Sequence, residues 1–220
     1  GNDQLLQQLA LLEAQMGNYQ QALAILNSHT FGPTHLSYSL LHLYRGIQLM
    51  LALQAARGSE FSKAMDNIAA AQNPPSNLGV DSFAKITSSR LLMYKALLLQ
   101  AEGNHSAGMV AWQAAADTAD SDIQGDGLFR AIGLYKTGRT QKADEWLKEF
   151  TEVNEQRKTD NSITLRLHAY EMAGIYAAMQ GNRHQAEQNF RTALEIDQSY
   201  LYARQALSWL DAGMLDGLKK

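Results

Sequence analysis

Apolar residues recur along this chain at the three- and four-residue spacing of helices, in blocks divided by glycines or short polar stretches. Every segment between breakers carries the 3.6-residue period, so the pattern predicts an all-α chain. Caps and breakers place helices near 3–15, 19–28, 35–57, 60–72, 82–102, 105–119, 124–137, 140–158, 162–180, 183–196 and 199–212. That is five helix pairs and a terminal helix. Ser199 is placed to cap the last of them, and its partly polar face suits the end of a stack.

A repeat underlies the pairs. GNYQQA (Gly17–Ala22), GNHSAG (Gly103–Gly108), GRTQKA (Gly138–Ala143) and GNRHQA (Gly181–Ala186) each set a small residue five places after a glycine, and GSEFSKA (Gly58–Ala64) repeats this with one residue inserted. Each glycine ends one apolar pattern and precedes the next, where a left-handed residue closes a helix without a Cβ penalty. The small residue then falls in the first turn of the second helix, where a larger side chain would push the two backbones apart. Successive hinges Gly17, Gly58, Gly103, Gly138 and Gly181 lie 41, 45, 35 and 43 residues apart. The tetratricopeptide repeat is about 34 residues long, so one interval fits and three predict extended helices or inserted connections.

The clearest repeat, HAYEMAGIYAAMQGNRHQAEQNFRTALEID, carries Tyr170, Gly174, Tyr176, Gly181, Ala186, Phe190, Ala193 and Leu194 as that family does, with Gln198 after Asp197 in place of its closing proline. WQAAA (Trp112–Ala116) and LKEF (Leu147–Phe150) stand where other second helices carry aromatic and small residues. The chain thus resembles the tetratricopeptide repeat family, most strongly near 90–119 and 165–198. This implies a right-handed α-solenoid of about five helix pairs with a C-terminal capping helix, a single domain over 1–220. Two connections, LNSHTFGP (Leu26–Pro33) and NPPSNLGV (Asn73–Val80), together with the WQAAA helix, further resemble the C-terminal repeat region of large bacterial proteins with an N-terminal β-rich, mutarotase-like domain. Where those proteins often have Pro-Trp and a glycine-rich stretch, this chain reads Pro33, Thr34, His35, Leu36.

Composition narrows the function. The hydrophobic fraction of 45% over 220 residues is enough for a core in one or two ordinary domains or in one solenoid. Nineteen Lys plus Arg against 22 Asp plus Glu give a net charge of −3, which offers no field for nucleic acid or anionic lipid. The absence of cysteine excludes disulfides, thiolate metal sites and thiol nucleophiles, and leaves the bacterial cytoplasm and periplasm both open. The richest apolar run, Ile47–Ala56, is about half the ~18 residues of a membrane span. Gly1, Asn2 and Asp3 read as a start internal to a longer chain.

Candidate chemistry is thin. Gly125 and Gly127 begin a phosphate-loop pattern, but Arg130 takes the place of the third glycine. Asp120, Asp122, Gln124, Gly125 and Asp126 imitate the opening of a calcium loop whose closing carboxylate position is Ala131. His168 and Glu171 share a helix face without the further ligands of a metal bundle, and His29, His35 and His42 have no carboxylate placed to finish a site. There is no Gly-x-Ser-x-Gly elbow. Asn104-His105-Ser106 matches a glycosylation acceptor, a motif short enough to arise by chance.

First helices of stacked pairs line the concave side that such arrays use for partners. Counting back from each hinge places Gln4, Gln7, Leu11, Arg45, Gln48, Arg90, Met93, Tyr94, Tyr135, His168 and Glu171 there. Amides, arginines and aromatics suit an extended peptide or loop. The chaperone-tail clamp of the family uses Lys and Asn where this chain has Gln7 and Leu11, so that specialised role is not expected. The leading expectation is a non-catalytic protein-interaction scaffold, without cofactor or metal, that binds a protein, a peptide or a domain of its own parent chain. The alternatives are a structural part packed on an N-terminal β-rich domain of a carbohydrate-related protein, and a groove for a small molecule or sugar with Tyr94 and Tyr135 as stacking platforms.

Overall fold

The computed structural model describes residues 2–32, 37–80, 88–118 and 126–218. Among these the chain is all-helical, with eleven α-helices and two 3-10 turns. They are α1 (Asn2–Gln15), α2 (Tyr19–Asn27), α3 (Ser37–Arg57), α4 (Phe61–Gln72), α5 (Ser89–Ala101), α6 (His105–Asp117), α7 (Asp126–Lys136), α8 (Thr140–Lys158), α9 (Ile163–Met179), α10 (Arg183–Ile196) and α11 (Leu201–Asp211), with 3-10 turns at Ser76–Leu78 and Met214–Leu218. The chain divides into two compact units, Gly1–Thr87 and Ser88–Lys220. No helix among the described residues is long and apolar enough to cross a membrane.

The five turns between paired helices are built alike. Gly17, Gly103, Gly138 and Gly181 take φ of +84°, +89°, +78° and +76°. At each, the glycine amide bonds back three residues and the next amide five, as in Asn18 N–H to Glu13 C=O (2.9 Å) and Asn182 N–H to Ala177 C=O (2.9 Å). These are the paired bonds of a Schellman motif. The second pair departs from the expected hinge: the left-handed residue is Ser59 (φ +60°), not Gly58, and the bonds run from Ser59 to Ala56 and from Glu60 to Ala55. The extra residue in GSEFSKA therefore shifts the turn by one place. Asn104 and Asn182 then cap the following helices by accepting from Ala107 and Gln185 N–H, which gives Asn104 a structural task.

The small residues sit where the backbones need them. Ala22, Ala64, Ala143 and Ala186 are wholly buried. A Cβ on Gly108 would stand 3.0 Å from Gln100 Cγ and 3.4 Å from the Ala96 carbonyl of the preceding helix. Gly133 lets α7 approach the backbone of α6, where an added Cβ would meet Ala116 N at 2.7 Å. Gly174 makes the space that the Phe190 ring fills between α9 and α10.

In the first unit, α1 packs on α2 and α3, and α3 on α4. The two inserted connections clasp each other: Asn77 Nδ2 donates to the carbonyls of Leu26 (2.9 Å) and His29 (2.7 Å), and Phe31 N–H to Asn77 C=O (2.7 Å). Gly79, at φ +63°, passes so close to Phe31 that a Cβ would lie 2.7 Å from its carbonyl oxygen. Phe31, Leu78 and Val80 are buried beneath this clasp. Pro33, Thr34, His35 and Leu36 lie outside the described residues.

In the second unit, neighbouring helices from α5 to α11 pack in chain order, and the Met214–Leu218 turn reaches back to α5 and α9. Ser88, extended at ψ 119°, starts α5 by accepting from Leu91 N–H, so the helix expected over 82–102 begins at Ser89, and 82–87 lie outside the described residues. The last helix is capped at Tyr200, not Ser199, whose amide is bonded to the Asp197 carboxylate instead.

Candidate functional site

The first helices of the second unit bring Arg90, Tyr94, His168 and Glu171 together, but not Tyr135. Ser88 fixes the start of α5 so that Arg90 lies in its first turn, and the guanidinium meets Glu171 of α9 with Nη1–Oε1 at 2.6 Å. Glu171 is 1% exposed and the Arg90 side chain 12%. The guanidinium lies over the rings of Phe129 on α7 (4.8 Å) and Tyr202 on α11 (4.4 Å), at the distance of cation–π attraction. The Tyr200 hydroxyl donates to Glu171 Oε2 (2.7 Å), and His168 Nδ1 stands 3.6 Å from that same oxygen. One turn beyond Arg90, Tyr94 packs against Trp209 with ring centroids 4.5 Å apart. Gln205, wholly buried, lies beside the Tyr94 hydroxyl without forming a well-aligned hydrogen bond.

Electrostatics follow from this enclosure. Burial alone would raise the Glu171 carboxyl, but the Arg90 charge, His168 and the Tyr200 hydroxyl outweigh it and hold it at about 2. Burial is opposed at Arg90 by Glu171, whose charge drives the guanidinium further toward its protonated form. Burial also pushes the Tyr94 and Tyr200 hydroxyls up. A carboxylate this acidic and phenols this basic are poor proton carriers at neutral pH. The cluster is suited to holding α5, α7, α9 and α11 in register.

The expected partner surface is therefore filled from within the unit. Met93 and Glu171 are buried, Tyr94 is 1% exposed, and α11 and the Met214–Leu218 turn lie against the face that a peptide was expected to occupy. Leu215 and Leu218 are buried there, and a Cβ on Gly217 would come within 2.9 Å of Leu97 Cδ2. Arg90, Tyr94 and His168 thus have little solvent contact left to lose. Tyr94 is closed off as a stacking platform, and Tyr135 is elsewhere, half-buried with Trp146 against Ala116, Leu134 and Ala143. Arg130, the residue that breaks the phosphate-loop pattern, lies over the Trp146 ring (4.9 Å) and donates through Nε to the Ala116 carbonyl. Asp120, Asp122, Gln124 and Gly125 lie outside the described residues. No cluster of three or more potential metal ligands occurs among the described residues.

In the first unit Gln7, Gln48 and Arg45 are likewise engaged, while Gln4 is exposed and Leu11 half-buried. Gln7 is buried and donates to Ser39 Oγ (2.8 Å), Gln48 donates to the Tyr44 hydroxyl (3.0 Å), and Arg45 Nε donates to the Ala71 carbonyl (3.2 Å) at the C-terminal end of α4. A cation there complements the helix dipole. His29, for which no carboxylate partner was expected, is bonded to Asp3 at 2.8 Å, and Asp3 also accepts from Gly32 N–H, so its carboxyl is held below the usual range.

What the residue pattern missed is the outer face of α1. Leu5, Leu9, Leu12 and Met16 are 66%, 43%, 54% and 58% exposed, while Gln7, Ala10 and Ala14 face inward. The four large side chains follow at i, i+4, i+7 and i+11 and so form one stripe. A signal was present: α1 carries apolar residues at 5, 6, 9, 10, 11, 12 and 14, more than one core-facing arc accommodates. No protein-family model, curated protein or solved structure matches the chain.

Proposed function

We propose that the chain is a tetratricopeptide-like, right-handed helical scaffold without catalytic activity of its own, and that it binds protein through the outer face of α1. Five helix pairs joined by the same turn, each with a small residue against the preceding helix, support the repeat reading. The observation that carries the binding role is the stripe of Leu5, Leu9, Leu12 and Met16, because contiguous large apolar side chains left in water mark contact surfaces. The face filled by α11 is not the docking surface in this reading.

A photo-crosslinking side chain at position 9, introduced into the full-length protein in its native cells, tests the proposal. It is expected to give a defined protein adduct, whereas the same group at exposed Lys142 gives none. Absence of any adduct from position 9 would reject α1 as the docking face. An adduct with a domain of the same parent chain would identify the structural form of the role.

A further inference from the structure

We propose that the Gln205 amide, the Trp209 indole and the Tyr94 hydroxyl form an internal binding site between α5 and α11 whose ligand is a single water molecule. Gln205 is wholly enclosed, yet neither its amide oxygen nor its amide nitrogen has a hydrogen-bond partner among the described residues. Trp209, four residues on, shares that face of α11. It too is wholly enclosed, and its Nε1–H is likewise unmet. Tyr94 closes the site from α5, with its ring centroid 4.5 Å from that of Trp209 and its hydroxyl beside Gln205.

These three side chains cannot satisfy one another. A direct bond between the Gln205 amide and the Tyr94 hydroxyl would meet one end of the amide and leave its other end and the indole unmet. Turning the amide over exchanges its ends without changing that balance. Water carries two donors and two acceptor lone pairs, so it can accept from Trp209 Nε1, donate to the Tyr94 oxygen and close on the amide of Gln205. Internal waters typically make about three such bonds to groups that are otherwise unmet. An ion matches the site less well. All three groups are neutral, and Arg90 and Glu171, whose charges reach Tyr94, are paired with each other at 2.6 Å. A larger ligand would have to part α11 from α5. A water bonded to both helices also fixes the rotation of α11, because turning the helix carries Gln205 and Trp209 away from Tyr94.

Crystallography of the full chain, at a resolution that shows ordered solvent, tests this directly. Density for one water is expected within about 3.2 Å of both Trp209 Nε1 and the Gln205 amide. The second arm is Gln205→Leu, which removes the amide at similar volume. With water bound, this exchange takes away the ligand's contacts with the amide and strands the indole N–H, so the unfolding equilibrium constant should rise about tenfold. In a dry site the same exchange would remove two unmet polar atoms from a core and leave the chain as stable as before, or more so. Urea unfolding followed by far-ultraviolet circular dichroism measures the change. A site without water density, or a Gln205→Leu chain at least as stable as the parent, would overturn the inference. If the variant does not fold, the density alone decides.

Discussion

Four of the five helix-pair turns place glycine in the left-handed region, and the fifth places Ser59 there. The position after a helix demands φ near +60°, which costs a residue with a Cβ about 1–2 kcal/mol. Ser59→Gly is accordingly expected to stabilise the protein by about 0.5–1 kcal/mol, net of the extra freedom glycine gives the unfolded chain. Gly138→Ala should cost about 1 kcal/mol from backbone strain alone, since its Cβ would meet nothing within 4 Å. Gly58→Ala, outside the left-handed region, should be close to neutral. Urea midpoints of the three variants check this, and a large loss at Gly58 with no gain at Ser59 would put the hinge back at the glycine. The four glycine turns were legible because the residue type announces the backbone. The fifth was misplaced by one residue because serine at positive φ leaves no such mark.

Helical period told which residues share a face, and so Arg90, Tyr94, His168 and Glu171 were correctly grouped on first helices. It did not tell what the face meets. Arg90 and Glu171 are 81 residues apart, and the rings over Arg90 come from Phe129 of α7 and from Tyr202 of α11, a helix that reads in sequence as a solvated cap. Its stripe of Leu201, Gln205, Trp209 and its neighbour Leu210 is instead buried within the second unit. Trp209→Ala should therefore cost about 3–5 kcal/mol, as for a large aromatic removed from a core. A melting temperature unchanged by Trp209→Ala would make α11 a loose cover over an otherwise complete groove, and the expected peptide site would be restored. The same limit explains α1: its broad apolar arc was visible in the residues, but the half that α2 and α3 leave uncovered was not.

At the scale of the whole molecule, the two units differ in what reports on them and in what acid does to them. All three tryptophans, Trp112, Trp146 and Trp209, lie in the second unit, as does the Arg90–Glu171 pair, so tryptophan fluorescence follows that unit alone. Glu171 is held at about 2 in the folded protein against an ordinary value of 4.5, so the folded state binds its proton less readily than the unfolded chain. The stability this contributes, on the order of 3 kcal/mol, is complete above pH 4.5 and is lost progressively as the pH falls toward 2. Exposed Asp117, which Arg139 and Gln113 also hold below its ordinary range, adds to the same acid loss, and comparison with a Glu171 variant separates the two. Glu171→Gln should cost about 3–5 kcal/mol at pH 7, because it leaves the Arg90 charge enclosed without its counter-ion. It should also flatten the decline in stability between pH 4.5 and 3. Fluorescence-detected urea unfolding of both proteins from pH 7 to 3 measures the two slopes. Parallel slopes would mean that Glu171 is not held ionised by Arg90, and the enclosed pair would no longer account for the register of α5, α7, α9 and α11.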